Sequence, residues 1–309
     1  MPELHVVIGA GPVGATIAEQ LAAAGARVRV LTRSGSGPEH ARIERRAVDV
    51  SQRTRLSGQF DGARAVYHCM HTSRYVAADW WAELPPTEQV VMNEAERAGA
   101  VVVFPESLYS YGPVREPMRE SMDRAANFGK PAVRVALLKA RAEHRAHTVS
   151  VAASDFIGPH VHTALAGDII LRPLLAGKRI RTMGDLDAPH AFTYMPDLAA
   201  AMIKAASDTA LWDSFLHAPT AAPISQRELI RRYADAAGAG APKVFAAPGW
   251  LLRAGGWFNT DMREMAEMVY QFERPFTLDS TASEARLGFG PTPFDTVIET
   301  TVAWRREQV

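Results

Sequence analysis

Short apolar runs alternate with helically spaced stretches from the first residues of the chain. Leu4–Ile8 reads LHVVI, five residues closed by a glycine, and predicts a buried strand. Ile17, Leu21 and Ala24 then fall three to four apart, the spacing of one helix face. Gly25 follows where a helix end favours a residue free to take positive φ. Residues 27–31, RVRVL, alternate and are rich in valine, which predicts a second strand. Strand, glycine turn, helix and strand together fill about thirty residues, the size of a right-handed βαβ crossover. Further strands are expected at 45–50, 65–68, 100–104 and 148–152, with helices at 87–98, ended by Gly99, and at 132–145. This alternation predicts an α/β fold, a Rossmann-type doubly wound parallel sheet.

Past residue 157 the texture changes. Gly, Pro and His cluster in GPHVHTALAG, GDLDAPH and APTAAPIS, between amphipathic helices expected at 197–206 and 226–237. The expected division is a dinucleotide-binding domain over 1–157, with chain returns near 191–218. A smaller, mainly substrate-binding portion with a C-terminal helix follows over 158–309. No stretch has the composition of a flexible linker, so the two portions are expected to form one rigid body.

Composition narrows the class. Of 309 residues, 47% are hydrophobic and 22% charged, as in an ordinary globular enzyme. Lys plus Arg balances Asp plus Glu, 34 against 34, so the basic excess that phosphate backbones select is missing and nucleic acid is not an expected partner. The single cysteine, Cys69, excludes an intrachain disulfide and fits a reducing compartment. The first strand starts within a few residues of Met1, and no apolar run reaches the length of a membrane span. A cytoplasmic protein without membrane association is therefore expected. His160 and His162, with Asp155 and Asp168 nearby, match no zinc spacing, and no metal is expected.

The turn after the first strand reads Gly9-Ala10-Gly11-Pro12-Val13-Gly14. The first glycine permits the tight turn, the second lets backbone approach a pyrophosphate, and the third lets helix and strand pack closely. Inside a βαβ unit this GxGxxG pattern points to a dinucleotide held on a helix N-terminus. The second strand ends in Leu31-Thr32-Arg33-Ser34, without the carboxylate that accepts from the ribose 2′-hydroxyl of NAD. Arg33 offers a planar fork for a 2′-phosphate and Ser34 a further donor, so NADP(H) is expected, with NAD as the alternative. Asp49 and Val50 follow the third strand, where Asp49 either reaches the adenine or caps the next helix.

Five further elements carry a resemblance. Val66-Tyr67-His68-Cys69-Met70 looks like a VYHxA element, residues 107–112 (SLYSYG) like SxxxYG, and residues 154–159 (SDFIGP) like NxYGP. Residues 192–197 (FTYMPD) look like HVxD, and residues 287–292 (LGFGPT) like LGxxPT. Their order resembles the extended and atypical, epimerase/dehydratase-like branch of the short-chain dehydrogenase/reductase superfamily, over nearly the whole chain. The resemblance places Cys69 and Met70 beside the cofactor and Ser107 over the nicotinamide, and it implies a homodimer.

The resemblance also implies a YxxxK pair, in which a tyrosine exchanges a proton with the substrate oxygen while the lysine holds the ribose. Lys139 stands where that lysine is expected, but four residues earlier is Val135, and no tyrosine occurs between Tyr111 and Tyr194. Tyr109 is the preferred replacement donor and Ser107 a hydrogen-bond donor to a substrate carbonyl. Lys139 reads equally as half of a surface pair with Glu143. Lys130 and Arg134 are candidates for an anionic substrate, and His71 for acid–base work. Trp80, Trp81 and the methionines of a helix expected at 261–270 are candidate pocket walls, with core packing as the alternative. The expected function is NADP(H)-dependent oxidation or reduction of a small organic alcohol or carbonyl. The alternatives are a non-redox dinucleotide sensor or regulatory protein, and an isomerase or lyase with bound cofactor.

Overall fold

The computed structural model describes residues 2–308. Its centre is a sheet of seven strands: β1 (Leu4–Ile8), β2 (Arg27–Thr32), β3 (Ile43–Ala47), β4 (Ala63–His68), β5 (Val101–Ser107), β6 (Thr148–Ala153) and β7 (Ser214–His217). Their order across the sheet is β7-β6-β5-β4-β1-β2-β3, and every pairing is parallel. Helices cover both faces, which is why inner strands such as β1 are buried from end to end rather than alternating. Helices α1 (Pro12–Ala23) and α4 (Met195–Ser207) bury Ile17, Leu21, Leu198 and Met202 against Val7, Val103 and Val151. On the other face, α2 (Ala77–Ala98) packs Val91, Met92 and Ala95 against Ile8, Val66 and Val102. The outer strand β3 reads IERRA and is largely exposed; its charges blunt an otherwise open edge.

Two elements depart from the expected pattern for identifiable reasons. Strand β5 runs three residues past Phe104, through Pro105. Its pairing with β4 stops at Val103, so the missing N–H of Pro105 falls where only β6 continues as a neighbour. Helix α2 starts at Ala77 rather than Thr87 and passes through Pro85 and Pro86. Buried Trp80 and Leu84 anchor its first half, and tertiary packing outweighs the two helix breakers. The tryptophan pair therefore sits on this helix.

The chain beyond β6 builds a second cluster from Leu171, Ile180, Phe192, Ile230, Tyr233 and Val297. It includes α5 (Gln226–Ala236) and α7 (Phe294–Glu307), and between them α6 (Thr260–Met268) lies beside the sheet's carboxyl edge. A short parallel pair joins Asp155–Ile157 to Phe192–Tyr194. After α4 the chain re-enters the main sheet as β7. Asp197, in the first turn of α4, braces the C-terminal LGFGPT segment by accepting from the Thr292 N–H at 2.8 Å and its hydroxyl at 2.7 Å. Among the described residues no helix is long and apolar enough to cross a membrane.

Candidate active site

The carboxyl ends of the central strands open onto one cleft of about 1420 Å3, where the strand order reverses between β1 and β4. Crevices form at such points because adjacent connections leave on opposite faces of the sheet. Gly9 takes a φ of 91°, and a Cβ there would lie 2.9 Å from the Cys69 carbonyl oxygen. At Gly14 a Cβ would fall 2.0 Å from the Gly9 oxygen, whereas at Gly11 it would meet nothing within 4 Å. The first and third glycines thus close the turn and the second leaves a hollow. Pro12 opens α1 as its first residue, with no side chain capping the turn beside the hollow, so the helix's N-terminal N–H groups are left for a ligand there.

The rest of the cleft fits the same ligand. Both ring nitrogens of His68 and the Ser154 hydroxyl are buried without partners, and both residues line the cleft. Buried polar atoms are seldom left unpaired, and the hydroxyls and phosphates of a dinucleotide supply what these lack. Gly9, Gly11, Pro12, Val13, Asp49, Val50, Cys69 and Met70 all line the cleft. Arg33 does too, with no hydrogen-bond or ion-pair partner among the described residues. Ser34 does not; its hydroxyl is 2.8 Å from that of Ser36 on the surface, because the chain turns away after Arg33. Asp49 accepts from the Ser51 N–H at 3.1 Å, the Ser51 hydroxyl at 2.7 Å and the Gln52 amide at 2.9 Å, and these bonds hold its carboxyl below the usual range. Its carboxylate is thus committed to the local turn.

Ser107 and Tyr109 also line the cleft. The Ser107 Oγ accepts from the Tyr109 N–H at 3.4 Å, and the Tyr109 phenol accepts from Tyr75 at 2.9 Å while its ring lies parallel to that of Trp80. Burial, then the nearby Asp155 carboxylate, push the Tyr109 phenol upward, so it is a hydrogen-bond donor at neutral pH. Trp81 is exposed and takes no part, whereas Met265 and Met268 line the cleft wall.

Lys139 is the correction. It projects from the outer face of α3 (Gly129–Glu143), three-quarters exposed, 3.9 Å from Glu143 and away from the cleft. The 3.6-residue turn brings Lys130, Arg134 and Arg141 inward instead. Arg134 donates to His71 Nε2 at 2.7 Å and lies 3.4 Å from Glu106, with its guanidinium over Trp80. Desolvation, then the Arg134 charge, hold the His71 imidazole down at about 4, so it is neutral and its Nε2 an acceptor. Arg141 is clamped between Glu88 at 2.6 Å and Glu106 at 2.7 Å beneath the cleft floor. Lys130 bonds Glu264 of α6 at 2.7 Å and Glu267 at 3.0 Å, tying α6 to α3 beside the cleft.

Two residues that local reading did not join also meet here. His190 lies 2.9 Å from Asp155, 35 residues away, because it stands two residues before Phe192, which pairs with Asp155 in the short parallel ladder. No spacing signal marks such a pair.

This geometry defines a dinucleotide-binding enzyme of the Rossmann type. The sequence pattern of the NAD dependent epimerase/dehydratase family matches residues 5–212, and the chain belongs to that family. It is thus a nicotinamide-dinucleotide-dependent enzyme of the short-chain dehydrogenase/reductase type. Its fold is similar to that of the Bordetella bronchiseptica enzyme WbmH, solved with NAD+ (17% identity, 99% of both chains covered, TM-score 0.78). It is also similar to the UDP-glucose 4-epimerase of Thermotoga maritima, solved with UDP-glucose (15%, 99% of both chains, TM-score 0.78). The Thermus thermophilus UDP-glucose 4-epimerase, solved with NAD, gives 20% identity over 99% of this chain and 100% of that one, with a TM-score of 0.76. A sequence search finds no match among curated proteins.

Proposed function

We propose that the protein is an NADP(H)-dependent oxidoreductase acting on a small organic carbonyl or alcohol. The observation that carries the cofactor choice is Arg33, an unpaired guanidinium on the cleft at the end of β2, where an NAD site places a carboxylate. In this reading Gly9, Gly11, Pro12 and Val13 hold the pyrophosphate, Gly14 keeps the turn closed, and Arg33 takes the 2′-phosphate. Val50, Cys69 and Met70 form the apolar wall of the dinucleotide's channel. When bound, the dinucleotide supplies the hydride acceptor or donor.

The chain's own residues orient the reacting oxygen. Ser107 and Tyr109 donate hydrogen bonds to it, and Arg134, rather than Lys139, is the cation on α3 that faces the cofactor side. Trp80 and Met268 keep water from the substrate end. Family membership favours a second reading, an epimerase or dehydratase in which hydride leaves and returns within one cycle. In that case the cofactor copurifies and shows no net change of redox state on turnover.

Separate titrations of NADPH and NADH into wild type and Arg33→Ala, followed by nicotinamide fluorescence, test the assignment. A charge-assisted contact of about 1.5–3 kcal/mol predicts a roughly ten- to hundredfold loss of NADPH affinity in the variant, with NADH little changed. Equal wild-type affinity for the two nucleotides overturns the NADP assignment. Binding of neither overturns the enzyme reading itself.

A further inference from the structure

The cleft holds a carboxylate whose orientation a buried histidine fixes. Nδ1 of His190 lies 3.1 Å from the Gln271 carbonyl oxygen, which only accepts, so Nδ1 carries a proton. Nε2 lies 2.9 Å from Oδ2 of Asp155, and a proton must sit between them, since an imidazole lone pair facing a carboxylate at that distance is repulsive. The ring is buried and stacked near the faces of Phe272, 5.0 Å away, and Phe276, 5.5 Å away, which fix its plane. Asp155 keeps about a fifth of its side chain open to the cleft, where water and ligand solvate the anion. The ring is thus held by contacts at both nitrogens, and Oδ2 of Asp155 is engaged by it.

The other carboxylate oxygen, Oδ1, has no hydrogen-bond partner among the described residues, and Asp155 lines the cleft. The phenols of Tyr75 and Tyr109 are the ionisable groups on the facing loops that sense the Asp155 charge, with Tyr270 and Arg134 behind them. An acceptor pinned in this way recognises a donor on the substrate. Oδ2 is already engaged by His190, and the apolar side chains of Trp80, Met268 and Phe276 on the same cleft disfavour a charged group. The complementary group is an uncharged hydroxyl.

We propose that Asp155 is the substrate-recognition residue of this cleft, accepting a hydrogen bond from a hydroxyl carried next to the reacting carbonyl or alcohol, and that His190 is its positioning residue. This rests on the oxidoreductase reading and deepens it: the substrate class becomes neutral hydroxy-ketones or diols. Their apolar remainder lies against the wall formed by Trp80, Met268 and Phe276.

The probes are 2-hydroxyacetophenone and acetophenone, which differ by that one hydroxyl, added to the NADPH-saturated protein and followed by tryptophan fluorescence. The expected result is at least tenfold tighter binding of the hydroxy compound to wild type, with the difference lost in Asp155→Asn. NADPH affinity stays unchanged in that variant, which shows that it is folded. Nitrogen-15 NMR of histidine-labelled protein without cofactor reads the pair independently. It is expected to show an Nε2 resonance of His190 that shifts in Asp155→Asn, because its carboxylate partner is gone. Equal affinities, or no binding of either ketone to wild type, overturn the recognition role, and a His190 spectrum unchanged by the substitution overturns its positioning role. Failure of NADPH to bind wild type instead counts against the oxidoreductase reading.

Discussion

His68 shows what one side chain contributes at the floor of the cleft. Its imidazole is 3% exposed at the end of β4, with neither nitrogen paired. Burial, then the charges of Arg141 and Arg134, depress it to about 3 from an ordinary 6.5. The folded protein therefore keeps the ring neutral while the unfolded chain takes up a proton below pH 6.5. Stability from this source is fully present above pH 6.5 and is lost progressively as pH falls toward 3, on the order of a few kcal/mol across the range. Urea midpoints measured from pH 7 down to pH 4 are expected to fall steadily. His68→Leu is expected to flatten that slope, with His71, held at about 4, retaining part of it. The same substitution removes two unpaired polar atoms, so it is expected to leave neutral-pH stability intact while weakening NADPH binding. An unchanged slope contradicts the account, and unchanged NADPH binding contradicts the placement of His68 against the cofactor.

At the scale of elements, α3 carries the main lesson. Its sequence presents Lys139 at the position the family pattern suggests, yet the helix turns that residue to solvent. What faces inward is set by where the helix begins, at Gly129, and a shift of a few residues in the expected start changes which cations point to the cleft. The stripe Lys130, Arg134 and Arg141 was present in the sequence, but its partners Glu88, Glu106 and Glu264 lie on three other elements and give no local signal. Arg141 is the hinge of this network. Arg141→Met strands two buried carboxylates and is expected to cost about 3–5 kcal/mol, read as a fall in the denaturation midpoint. Adding Glu88→Gln and Glu106→Gln to it is expected to recover much of that loss. If the single variant is as stable as wild type, the network is not the brace described.

Over the whole molecule, the alternation of strands and helices that makes the parallel sheet, and the glycine turn, were largely legible, because each is written in contiguous residues with a strong period. The substrate end was not. Asp155, His190, Tyr75 and Met268 come from four separate segments, and only the completed fold brings them together. The cofactor end spans several strands, so its ligand should act on the entire fold. NADPH at a hundredfold over its Kd is expected to stabilise by about 2.7 kcal/mol. That corresponds to a rise in Tm of roughly 5 °C in a calorimetric scan, with NADH giving less at equal concentration. No shift with either nucleotide contradicts the site.

The seventh strand has a further consequence. It joins the sheet only after the chain has laid down part of the substrate side, and it pairs with β6 from Ser214 to His217. The C-terminal half is therefore not a cassette. A chimera spliced at residue 157 would inherit a sheet with one rim bare, so grafting a relative's substrate pocket onto this scaffold would mean transplanting β7 along with it. New specificities should be reached more readily by drift of side chains within the cleft than by exchange of blocks.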